Sequence, residues 1–220
     1  MLVGVSVVGV SPPVVVDVPS DPVVAEHAFD FYKLWQPAEA ERVIKAALTL
    51  DDGRWSAHVR AACLFAQNEC YPAAADHYER ALDLMRPPTD RFEGEAALAA
   101  YLAGRPERAK ELADRALEFR GFNIDVNFHL GQTVIGLLAV DAGEIEAAES
   151  ALRSACVTSL PASGPSFRLA RRLLREGRVD GVKKYLQHIG GVWRQGSERC
   201  RAWLSDLEAG GLPEMANPGR

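Results

Sequence analysis

Five histidines, four cysteines and a cluster of arginines carry most of the reactive chemistry available to this 220-residue chain. His27, His58, His77, His129 and His188 lie far apart, and no two are four residues apart, the spacing that sets two imidazoles on one helix face for a metal. His58 and Asp76-His77 should face an adjacent helix as hydrogen-bonded packing. His129-Leu-Gly-Gln132-Thr133 is a polar stretch in an apolar helix, read as a satisfied pair at the junction with Asn127. Cys63, Cys70, Cys156 and Cys200 form no C-x-x-C pair. They read as reduced, small apolar fillers, which favours a reducing, cytoplasmic setting. Ser163-Gly-Pro-Ser166 follows no strand and lacks a G-x-S-x-G frame, while Gly190-Gly191 lacks the lysine and spacing of a phosphate loop. No catalytic residue, metal site or cofactor is expected, and the chain reads as non-enzymatic.

Charge bears on the partner. The net value is −5, which argues against a general nucleic-acid binder. Its distribution is uneven: Ser150–Arg220 carries +6 and the preceding part −11. Arg171, Arg172 and Arg175 lie in the positive part. They could clamp carboxylates or form the wet side of a terminal helix.

The elements that must position these groups are helical. Gly53–Met85 reads as a hairpin of two amphipathic helices, Ser56–Gln67 and Pro72–Met85, with larger apolar residues at three-and-four spacing. Ala-Leu closes each second helix, at Ala47-Leu48, Ala81-Leu82, Ala116-Leu117 and more loosely Ala151-Leu152. Turns centre near Trp35, Glu69, Gly104, Gly143 and Gly177, at intervals of 34, 35, 39 and 34 residues. One such hairpin cannot bury both of its apolar faces, so it needs like neighbours. Met1–Ser20 is valine-rich, has no basic residue before its apolar run and meets Pro12-Pro13 early, so neither a secretory signal nor a membrane span is expected. It reads as an extended or disordered leader, residues 21–210 as the repeat domain with a last helix at about Gln195–Ala209, and residues 211–220 as a frayed tail.

From Asp21 to Ile189 this pattern resembles the tetratricopeptide-repeat family. The family's small-residue places hold Ala62, Ala74 and Ala81, then Ala97, Ala109 and Ala116, then Gly136, Ala148 and Ala155. The last unit keeps Ala170 but has Val182 and Ile189 for the others. The resemblance implies an all-α, right-handed α-solenoid of about five helical hairpins, closed by a capping helix that carries Trp203. It implies no cofactor and a protein or peptide partner held in a concave groove lined by first helices. Groove places fall on Phe29, Tyr32 and Lys33, then Cys63, Ala66 and Gln67, then Leu98 and Tyr101. They continue on Thr133, Leu137 and Asp141 and end on Phe167, Arg171 and Arg175. The family's two-lysine carboxylate clamp is not reproduced. An alternative role is a regulatory or accessory subunit whose basic C-terminal end meets acidic protein or nucleic acid. The C-terminal half, with its His129-Leu-Gly-Gln-Thr helix, Gly164-Pro165 turn and Trp203 helix, is similar to a group of uncharacterised bacterial repeat proteins, which implies bacterial origin and no activity.

Overall fold

The computed structural model describes residues 53–85, 92–119, 124–157 and 164–215, and these form nine α-helices and one 3-10 turn, with no strand among them. The helices pair as hairpins: α1 (Trp55–Gln67) with α2 (Tyr71–Leu84), α3 (Glu93–Leu102) with α4 (Pro106–Glu118), α5 (Ile124–Asp141) with α6 (Ile145–Ser154), and α7 (Arg168–Arg175) with α8 (Val179–Val192). A 3-10 turn at Arg194–Gly196 then leads into α9 (Ser197–Glu208), which packs on α8. Each hairpin also packs on the next: α3 touches α2 and α5, α5 touches α4 and α7, and α7 and α8 both touch α6. The described residues adopt the expected all-α class.

The same backbone device closes all four hairpins. Glu69, Gly104, Gly143 and Gly177 take φ of +61°, +74°, +77° and +74°. In each case the next amide donates back to the carbonyl five residues earlier, Cys70 to Phe65 (2.9 Å), Arg105 to Ala100 (2.9 Å), Glu144 to Ala139 (2.8 Å) and Arg178 to Leu173 (2.9 Å). This left-handed cap satisfies carbonyls that the ended helix leaves over, and it turns the chain sharply enough for the second helix to lie back on the first. Glycine adopts it without strain; Glu69 is the non-glycine exception among the described residues.

Helices that cross this closely leave no room for side-chain bulk. Ala62, Ala74, Ala81, Ala97, Ala109, Ala148 and Ala155 are fully buried. At Gly136, where α5 meets α7, an added Cβ would stand 2.3 Å from Leu169 Cδ2 and 3.1 Å from Ala151 Cβ. The small columns are therefore the contact seams between helices.

The C-terminal end differs from expectation in two places. The last helix starts at Ser197 rather than about Gln195, because Trp193 folds back over Gly196, where a Cβ would lie 1.9 Å from the indole ring. The tail from Gly211 is not frayed throughout, since Met215 is fully buried in the C-terminal core. Trp203 meets Phe167 edge-on at 4.9 Å. Cys70, Cys156 and Cys200 are free thiols. Among the described residues no helix is long and apolar enough to cross a membrane. The leader, the first hairpin and the groove places Phe29, Tyr32 and Lys33 lie outside the described residues.

Candidate functional site

Arginine spacing on α7 sets up the site. Arg168, Arg171, Arg172 and Arg175 follow the i, i+3, i+4, i+7 rule of one helix face, while Leu169, Ala170, Leu173 and Leu174 point into the core. That face, with Tyr101 and Leu102 of α3 and Leu137 of α5, lines a cavity of about 350 Å³. Arg172 Nη2 donates to Asp141 Oδ1 at 2.8 Å, and Tyr101 OH donates to Asp141 Oδ2 at 2.7 Å. One carboxylate thus ties the first helices of three successive hairpins together. Burial and the bond to Asp141 push the Tyr101 phenol up to about 12, so it stays a donor across the physiological range. Arg175, at the end of α7, is exposed and makes no ion pair with a described residue.

Arg168 bridges a much longer distance along the chain. Its Nη2 donates to Tyr71 OH at 2.9 Å, and its guanidinium lies 5.6 Å from the centre of that ring. This link joins the first described hairpin to the fourth. Behind it is a second cavity, of about 270 Å³, walled by Tyr71, Tyr78, Leu98, Leu102 and Leu130. Arg168 and Leu102 belong to the walls of both cavities. Glu95 and Ser166 also reach the second one. Their Oε2 and Oγ atoms are shut off from solvent and have no hydrogen-bond partner among the described residues. Glu95 keeps some exposed surface elsewhere on the residue, yet burial raises its carboxyl to about 7, with like charge from Glu93 adding to the effect.

The anticipated groove residues within the described part separate into three groups. Leu98, Tyr101, Leu137, Asp141, Arg171 and Arg175 come together on or beside these cavities. Cys63 and Gln67 are exposed on α1, with Cys63 Sγ 3.3 Å from Tyr78 OH, and Ala66 reaches the second cavity. Thr133 and Phe167 correct the expectation. Thr133 is 1% exposed and donates to the His129 carbonyl at 2.8 Å. It belongs to α5, which is packed by α3, α4, α6 and α7 and leaves no open face there. Phe167 is fully buried because it precedes the first turn of α7 and faces inward to Tyr185, Trp193 and Trp203.

Arg168, Tyr71 and Glu95 were not among the groove places. The arginine spacing could have supplied Arg168, since it starts the same face as Arg171 and Arg175. Nothing local marks Glu95, which reads as an ordinary first-turn acid in α3.

The histidines take structural roles. His129 Nδ1 donates to the Ala155 carbonyl at 2.9 Å while Nε2 accepts the Ser166 amide at 3.1 Å, which defines a neutral tautomer. Burial holds its pKa below the usual value. Its partners are Ala155 and Ser166 rather than Asn127, whose Oδ1 instead accepts the Gly94 amide at 2.9 Å and caps the start of α3. His58 and His77 meet at 2.9 Å through their Nδ1 atoms, and His77 stacks on Phe65. Burial, then the neighbouring His58, lowers the His77 pKa. Among the described residues no three His, Cys, Asp or Glu side chains are grouped to hold a metal. Compared with known proteins, the chain matches no family model and no curated sequence.

Proposed function

We propose that this chain is a non-enzymatic interaction module, a right-handed stack of tetratricopeptide-like hairpins that holds a protein segment bearing acidic side chains. The observation that carries this reading is the arginine face of α7, opening on a cavity of about 350 Å³ with Tyr101 and Leu137 opposite. Guanidinium groups recognise carboxylates bidentately, and the adjoining apolar wall gives the segment a surface to bury. Asp141 shows the chemistry in miniature, since it already accepts from Arg172 and Tyr101 at 2.8 and 2.7 Å. A partner's carboxylate would use Arg175, which makes no ion pair with a described residue. An acidic segment suits this face better than nucleic acid does, because the chain as a whole carries −5.

The test uses a fluorescein-labelled acidic peptide, with glutamates spaced three and four apart among leucines, read by anisotropy. Arg171→Glu/Arg175→Glu should weaken its binding at least tenfold, and raising salt from 50 to 300 mM should weaken the wild-type complex. Equal affinity for the double variant would remove the arginine face as the contact.

A further inference from the structure

The arginine face of α7 holds more positive charge than one carboxylate can balance. Arg168, Arg171, Arg172 and Arg175 all line the cavity of about 350 Å³, and the first three are half-buried. Asp141 balances one of them, Arg172, at 2.8 Å. Arg168 is held by a neutral partner, the Tyr71 hydroxyl and ring, and neither it nor Arg175 pairs with a carboxylate among the described residues. Two guanidinium charges, Arg168 and Arg175, therefore share one cavity with no described carboxylate to balance them. Arg172 lies between them on the same face, four residues from one and three from the other, and like charges at such spacing repel along a helix. One carboxylate from a partner relieves only half of that excess.

We infer that the anion this face selects is a phosphomonoester, a phosphorylated side chain of the bound segment, whose two negative charges are shared between Arg168 and Arg175. This rests on the groove reading above and deepens it: the segment is acidic, and its phosphorylation state sets how tightly it is held. Shape favours the same choice. A carboxylate offers two oxygens in one plane, whereas a phosphate group offers three that point in different directions. Donors enter this cavity from positions two helical turns apart on α7, so a tetrahedral acceptor can meet guanidinium forks from both ends. Tyr101, Leu102 and Leu137 supply the side against which neighbouring residues of the segment lie. Nucleic acid is the poorer match, because each of its phosphodiesters carries a single charge.

The second proton of a phosphomonoester leaves at about pH 6, which gives the inference a signature. The dianion is the form that both guanidinium groups attract, so affinity should rise from about pH 5 to pH 7.5. Among the described residues no histidine lines the cavity: α7 presents the arginines, α3 presents Tyr101 and Leu102, and α5 presents Leu137 with Asp141 bonded to Arg172. Tyr101, pushed up to about 12, keeps its proton throughout. Helices α6 and α8 also pack on α7 and add nothing to this wall. Glu95 shares the neighbouring cavity with Arg168, and its carboxyl is raised to about 7. Its ionisation adds negative charge as pH rises, so it works against anion binding and has the opposite sign to the expected gain.

The experiment places phosphoserine, sulfoserine or glutamate at one position of the fluorescein-labelled acidic peptide and reads anisotropy with the full chain from about pH 5 to pH 7.5. A sulfate ester has the tetrahedral shape of phosphate but keeps one negative charge over this range, so it also reports any titration of the protein itself. Phosphoserine should bind at least about fivefold tighter than sulfoserine at pH 7.5, and that ratio should be at least about threefold smaller at pH 5. Arg175→Gln and Arg168→Gln should each lower the ratio at pH 7.5 at least about threefold. A ratio near one at pH 7.5, or one that pH leaves unchanged, would overturn the inference, and the wild-type chain decides this even if a variant fails to fold. An unaltered ratio in both variants, with both folded, overturns the assignment of the two charges to Arg168 and Arg175. N-acetyl-phosphoserine amide alone should bind at least about tenfold more weakly than the phosphopeptide, because it lacks the rest of the segment. Equal affinity discards the groove reading and leaves a free phosphomonoester as the occupant. Oligothymidylate that outcompetes the phosphopeptide overturns the inference in favour of nucleic acid. If the glutamate peptide binds and phosphorylation adds nothing, the preference for a dianion alone is lost and the groove reading stands.

Discussion

In hairpins α1–α2 and α3–α4 the buried positions are mainly alanine, with Ala61, Ala62, Ala74, Ala75, Ala96, Ala97, Ala100, Ala109 and Ala113 all at 0–1% exposure. From α7 onward the core is built instead around Phe167, Tyr185, Trp193 and Trp203. The difference follows from how closely the helices approach. A hairpin between two neighbours gains most by bringing backbones close, and a methyl group allows that. Beyond α8 the described residues continue as the single helix α9 and a coil to Met215, and large rings fill the space between these and α7. Both cavities lie where the two kinds of packing meet, with walls drawn from α3, α5 and α7. Close, repetitive packing seals the interior of the stack and leaves little space to shape, whereas the change in packing at the fourth hairpin leaves concave surface that side chains can line.

Three substitutions would break or sharpen this contrast. Phe167→Ala removes the ring that three other aromatics surround and should cost about 3–5 kcal/mol in denaturant unfolding. Hydrogen exchange should then accelerate in α8 and α9 before α1–α4, and a uniform acceleration would mean that the two cores are one cooperative unit. Ala109→Leu forces a larger side chain into a fully buried seam and should cost about 1–3 kcal/mol. Its effect should appear in α3 and α4, and wild-type stability in this variant would show that the alanine seam has slack. Smallest is Glu69→Gly. Glu69 holds φ +61° where the other hairpins have glycine, so the variant should gain about 1 kcal/mol, seen as a higher midpoint with an unchanged slope. No gain would indicate that the first turn is held by contacts the other three lack.

Much of this was legible in the sequence because it is local. A period near 34 residues, a glycine at three of the turns and alanine at fixed offsets state which helices pair and where they touch. These signals act through neighbours three to five residues away, so they survive without knowledge of the whole. Even the arginine face could be read by spacing, although Arg168 was visible only to helical periodicity and not to the repeat template.

The open surface could not be read that way. Whether Thr133 faces a groove depends on how many helices surround α5, and four do. Whether Phe167 faces outward depends on where α7 begins and on three rings that arrive from later in the chain. Glu95 is the clearest case: as a residue type it is an ordinary charged acid at the start of a helix, yet one of its oxygens is shut off from solvent beside a cavity that Tyr78, Leu130 and Ser166 also line. Composition and spacing determined the helices, their pairing and the sign of charge on α7. Burial, and with it the energy of placing charge there, was decided by which distant segments came together, because the cost of an ion depends on everything around it and not on its own position in the chain.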